Sequence, residues 1–122
     1  MDETRKSKLK TDLINHFGNG RVVSKTLPDG TYLLKISEVQ LPSHCIPGRM
    51  DVLIVFQGGN DPPQILVKNQ IKFDNGITAR STSNTAIDGE PWVNFSANFP
   101  WQQSDPLWYY VIGKLRRFEK VE

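Results

Sequence analysis

Apolar residues recur every four positions near the start of the chain, at Leu9, Leu13 and Phe17, with Ile14 widening the stripe. This spacing predicts an amphipathic helix. Gly18 and Gly20 follow, and Gly18 suits the left-handed position that ends helices, so the helix is expected to stop there. Beyond it the pattern becomes strand-like. Residues 22–26 lead into Pro28-Asp29-Gly30, a strong turn signal, and residues 31–36 leave it, so a hairpin is expected. Residues 41–48 carry two prolines and read as a loop. Residues 50–56 are the most apolar run, with Val52, Leu53, Ile54 and Val55 in succession. Such a run predicts a central strand buried on both faces. Residues 58–63, Gly-Gly-Asn-Asp-Pro-Pro, break it, and a strand restarts over 65–67 with room to continue to Phe73.

The character then changes. Asp74-Asn75-Gly76 is a turn, and residues 78–85 are almost wholly small and polar, which predicts an irregular surface stretch of the kind that is often functional. An aromatic cluster follows, Trp92, Phe95, Phe99 and Trp101, for which core or edge packing is the expected use. The last segment is helical, with Asp105 as cap, Pro106 in the first turn, and a stripe of Leu107, Tyr110, Val111, Leu115 and Phe118. Lys114, Arg116, Arg117 and Lys120 fall where cations complement the helix dipole. The expected fold is a single α+β domain over residues 1–122: an N-terminal helix, about four antiparallel strands in a meander, an irregular segment, and a C-terminal helix.

Composition narrows the chemistry. The 122 residues fit one domain, and a net charge of +2 from 15 basic and 13 acidic side chains implies neither a nucleic-acid nor a membrane partner. Cys45 is the only cysteine, which excludes an intrachain disulfide; with only His16 and His44 besides, no metal site or cofactor is expected. The charged first ten residues lack the apolar stretch of a signal peptide, so the expected compartment is the cytoplasm. No glycine-rich phosphate loop and no Ser-His-Asp constellation is visible.

The run 50–56, the break ending in Pro62-Pro63 and the strand 65–67 resemble the ubiquitin-conjugating family, where a double proline sets a rigid crossing between two strands. The series continues with Asn75-Gly76, the segment from Trp92 to Phe99, Pro100-Trp101 and a helix from Asp105, which is similar to a bacterial branch of that superfamily. The resemblance covers most of residues 20–120. The chain departs from the enzymes in three places: Gly59-Asn60-Asp61 replaces a tyrosine-proline step, Phe73-Asp74-Asn75 stands where a His-Pro-Asn triplet would lie, and no cysteine follows position 45.

The resemblance implies a component of a bacterial ubiquitin-like modification operon, encoded beside an adenylating (activating) enzyme and a peptidase, and a candidate for phage defence. Its partners would be the ubiquitin-like protein and the adenylating enzyme. Partner-binding roles are implied for Arg5, Lys6, Lys8 and Lys10 of the first helix, and for Pro62 and Pro63. A gapless count from Pro63 puts the family's catalytic asparagine at Asn75 and its nucleophile on or near Ser83. Ser83 would carry an oxyester, yet a serine hydroxyl needs a general base and no histidine follows His44; the nearby acids are Asp74 and Asp88. The plain alternatives are a solvated Ser/Thr loop and an Asn-Gly turn. Cys45 lies before the central strand, on the wrong side of the proline pair, and reads as a small core residue. Two functions follow, a binding subunit without a thioester or an oxyester carrier. A third, outside the family, is a peptide-binding module.

Overall fold

The computed structural model describes residues 1–58 and 62–122, so the Gly59-Asn60-Asp61 departure lies outside the described residues. The chain is α+β: helix α1 (Glu3–Phe17), strands β1 (Val22–Thr26), β2 (Tyr32–Gln40), β3 (Cys45–Ile46), β4 (Arg49–Phe56), β5 (Gln64–Val67), β6 (Lys72–Phe73), β7 (Thr82–Ile87) and β8 (Glu90–Phe95), helix α2 (Leu107–Leu115), and a 3-10 turn over Arg116–Glu119. Asp2 caps α1 by accepting from the Arg5 N–H at 2.8 Å, which satisfies one of the helix's free donors. At the other end Gly18 takes φ +110°, positive as its position required.

The main sheet has six strands in the order β1-β2-β4-β5-β8-β7, all antiparallel, in place of the four expected. Two expectations are corrected here. The strand restarting at residue 65 ends at Val67 rather than running to Phe73. β6 instead pairs with β3 in a separate two-stranded sheet, Cys45 opposite Phe73. The polar stretch 78–85 is not irregular throughout, because its second half is β7, paired to β8 over six residues. The connection is Asp88-Gly89, both at positive φ (52° and 80°), the two-residue turn that matches the twist of antiparallel strands. Pro91 is tolerated within β8 because its nitrogen faces the β5 side, beyond Val67, where β5 has ended.

The sheet buries both faces. Toward the helices lie Tyr32, Leu34 and Ile36 of β2, Val52, Ile54 and Phe56 of β4, and Val93 and Phe95 of β8, packed with Leu13 of α1, with Leu107, Tyr110, Val111 and Leu115 of α2, and with Phe118 of the 3-10 turn; all five residues of the predicted stripe are buried, although the α-helix ends before the last of them. On the opposite face Leu33, Leu53, Val55, Leu66 and Trp92 form a second cluster, flanked by Leu27 and Ile87. It is covered because the sheet curls. Lys25 of β1 forms an ion pair with Asp88 at the β7–β8 tip, joining strands from opposite ends of the sheet, and the Lys68 ammonium sits 4.8 Å over the Trp92 ring. The central strand β4 feeds both clusters, which explains its unbroken apolar run.

Helix α2 begins differently from expectation. Asp105 does not cap it; its carboxylate accepts from the Gln102 N–H at 3.0 Å. The cap comes from α1, where Asp12 accepts from the Trp108 N–H at 3.1 Å and so ties the two helices together. Within α2, Gly113 faces the Phe99 ring so closely that an added Cβ would lie 2.4 Å from it. Gly113→Ala is therefore expected to lose about 1–3 kcal/mol through overpacking, outweighing the ~1 kcal/mol that alanine gains in an open helix. Thermal unfolding measures it, and a rise in Tm would show that Phe99 yields freely.

Candidate functional site

The residues singled out for chemistry fall into separate places. Asn75 serves the β6 turn: its carbonyl oxygen accepts from the Ile77 N–H at 3.0 Å and its amide donates to the Glu122 carbonyl at 3.2 Å. Glu122 is held further by the Arg80 N–H at 2.7 Å and by Arg117 at 3.1 Å, so the chain's end is pinned over this turn. Ser83 lies on exposed β7 opposite Asn94, on the sheet face that carries Trp92, and its hydroxyl makes no hydrogen bond to a described residue. No histidine and no carboxylate among the described residues hydrogen-bonds it.

Cys45 sits in β3 with 5% of its surface exposed, its thiol 3.8 Å from the Phe118 carbonyl. Burial, then the charge of Asp74, pushes the thiol pKa up. That is the opposite of what a nucleophilic cysteine needs, since the thiolate is the reactive form. His44 beside it lies in the turn before β3 and is exposed, whereas Cys45 is buried. Its Nδ1 lies 3.1 Å from Asp74 Oδ2, both side chains half exposed, and the Asp74 N–H bonds the His44 carbonyl at 2.8 Å. Because a carboxylate only accepts, Nδ1 is the donor of this pair. Sequence reasoning noted His44 and Asp74 separately but not their pairing, because 30 positions divide them and only the β3–β6 ladder brings them together.

The basic residues of α1 do not form one face. Arg5 and Lys8, three apart, line a groove of about 530 Å³ between α1 and the start of α2, with Leu9 and Asp12 on one wall and Trp101 and Leu107 on the other. Lys6 and Lys10, four apart, turn toward β1 and β2. Lys6 donates to Thr26 Oγ1 at 3.1 Å and lies 5.4 Å over the Tyr32 ring, so it braces the helix on the sheet. The 3.6-residue period separates the two pairs. Pro62 is exposed; Pro63 is buried and accepts from the Tyr110 hydroxyl at 3.2 Å, which locks the entry to β5 against α2. That hydroxyl is held protonated to higher pH by burial.

A second groove, of about 560 Å³, lies at the far end of α1 and is lined by His16, Arg21, Arg49, Arg116 and Glu119. The Arg21 guanidinium is engaged by the carbonyls of Ser37 and Glu38, at the bulge in β2, and His16 stacks on Trp108 at 4.2 Å. The three arginines come from the loop before β1, from β4 and from the 3-10 turn, and share no sequence motif, so no local signal could have grouped them. Among the described residues no cluster of three or more His, Cys, Asp or Glu could hold a metal ion, and no helix is long and apolar enough to cross a membrane.

Among the described residues, the two grooves and the His44–Asp74 pair each present charged side chains at an open surface. No protein-family model, curated protein or solved structure matches the chain.

Proposed function

We propose that this chain is a ubiquitin-conjugating-like subunit of a bacterial ubiquitin-like modification pathway, which binds the ubiquitin-like protein or its adenylating enzyme without forming a thioester. The observation that carries the reading is the state of the one thiol: Cys45 is sealed under the Phe118 carbonyl with its pKa raised, so the transfer chemistry of the enzymes has no carrier there. Support for the family itself comes from the ordered series of a first helix, the consecutive antiparallel strands β2, β4 and β5, a proline pair entering β5, and a C-terminal helix. The β7–β8 hairpin is an extension of that plan. Binding is assigned to the α1–α2 groove, where Arg5 and Lys8 join Trp101 and Leu107 in the lining.

The test mixes the chain with ATP, the ubiquitin-like protein and its adenylating enzyme. A non-covalent complex is expected, weakened roughly tenfold by Lys8→Glu through loss of charge complementarity, with no adduct on denaturing gels. An adduct that resists thiol reductant, yields to mild base and vanishes in Ser83→Ala would overturn this and make the chain an oxyester carrier. No interaction at all would leave the family reading without a function.

A further inference from the structure

β1 and β7 are the two edges of the six-stranded sheet, and they are guarded differently. β1 carries Lys25, and the Lys6 ammonium reaches its Thr26 hydroxyl. β7 has the sequence Thr-Ser-Asn-Thr-Ala-Ile, with no charge, no proline and no bulge, since its register with β8 runs unbroken over six pairs. Charges, prolines and bulges are the devices that keep an edge strand from pairing with another chain.

The ladder shows which backbone groups are open. The Ser96 N–H donates to the Ser81 carbonyl at 3.2 Å. Hydrogen-bonded pairs alternate along an antiparallel ladder, so Ser83, Thr85 and Ile87 turn their backbone groups to β8, while Thr82, Asn84 and Ala86 direct theirs off the edge. None of those outward N–H and C=O groups has a backbone partner among the described residues, and both Asn84 and Ala86 are exposed.

The charges at the two ends of the strand select the occupant. Arg80 lies four residues before Asn84 and Asp88 four after it. Antiparallel pairing of two copies about Asn84 puts Thr82 opposite Ala86 and Asn84 opposite itself, all outward-facing positions, and brings the Arg80 end of each copy to the Asp88 end of the other. The Arg80 guanidinium is exposed and bonds no described side chain; Asp88 is exposed, and its bond to Lys25 leaves acceptor sites on the carboxylate. We propose that β7 is a self-pairing edge, on which a second copy of this chain adds its own β7 to join the two sheets across a two-fold axis at Asn84.

Such an interface is far smaller than the ~1,200 Å² of stable complexes, so a dissociation constant on the order of 0.1–1 mM is expected. Sedimentation velocity of the full chain up to about 1 mM, within that range, reads it. Asn84→Pro removes an outward N–H that the fold does not use and is expected to abolish the dimer while leaving Tm and circular dichroism unchanged. Arg80→Glu, which alters no backbone group, is expected to weaken the dimer roughly threefold to tenfold at low salt. Amide resonances of Thr82, Asn84 and Ala86 should shift with protein concentration. A chain that remains monomeric throughout, or a dimer that both variants leave unchanged, overturns the proposal.

Discussion

Replacing Phe118 with alanine is expected to cost about 3–5 kcal/mol of folding stability, the range for deleting a fully buried aromatic ring. The residue is 1% exposed, although it lies in a 3-10 turn only a few residues from the end of the chain. Its ring packs on Phe95 of β8 at 4.9 Å, and the Arg117 guanidinium lies 5.0 Å from it. It therefore holds the C-terminal segment against the sheet and against β3 at once. For a domain of this size, the change corresponds to a fall in Tm of roughly 10–20 °C. A second readout separates local from global effects. The Phe118 carbonyl covers the Cys45 thiol, so the alanine variant should expose Cys45 to alkylating reagents that the parent resists at neutral pH. Phe118→Leu should restore most of both properties. A loss below about 1 kcal/mol would mean that the turn collapses into the space and that the segment is not an anchor.

Trp92→Ala is expected to lose a comparable 3–5 kcal/mol for a different reason. Trp92 is 2% exposed on the face of the sheet away from both helices, a face that would ordinarily meet solvent. Its indole fills the concavity made by Leu33, Leu53, Val55 and Leu66 as the β7–β8 hairpin folds toward β1. Removing it takes away the main apolar mass that the hairpin contributes to that cluster, and the Lys68 ammonium loses its aromatic partner. Trp92→Phe should recover more than half of the loss in denaturant unfolding. If Trp92→Ala instead cost less than about 1 kcal/mol, the second cluster would be a wetted surface and the hairpin a peripheral addition.

Legibility in the sequence followed the range over which the signal acts. α1 was readable because Leu9 and Leu13 repeat at the helical period and Gly18 ends it, all within one local segment. β1 and the turn at Pro28-Asp29-Gly30 were readable for the same reason, the Asp29 carboxylate bonding the Thr31 N–H two residues on. β7 was missed because Thr, Ser and Asn show no apolar alternation, and half-exposed edge strands bury too little to need one. Its one local marker is Asp88-Gly89 followed by Trp92, Val93 and Phe95, the buried residues of β8. Of the candidate site, Ser83 and Asn75 came from counting along the chain, but β7 and the β6 turn put them in different settings. The His44–Asp74 pair and the Asp12 cap on α2 could not be read at all, since each joins residues far apart in the chain.

The sequence alone determined the class of the fold, the buried central strand, the apolar stripe of the last helix, and the presence of a single thiol, ahead of that central strand. Periodicity, turn residues and residue counts are local properties, and they survive any arrangement of the parts. The tertiary structure alone decided that the sheet has six strands, that it curls over a second cluster, and that Arg5 and Lys8 of α1 line one groove while Lys6 and Lys10 turn toward β1 and β2. It also decided that the thiol is inward and its neighbouring histidine outward. Each of these depends on which strands pair and in what register, and pairing is settled by the apolar area that all segments bury together rather than by any one of them.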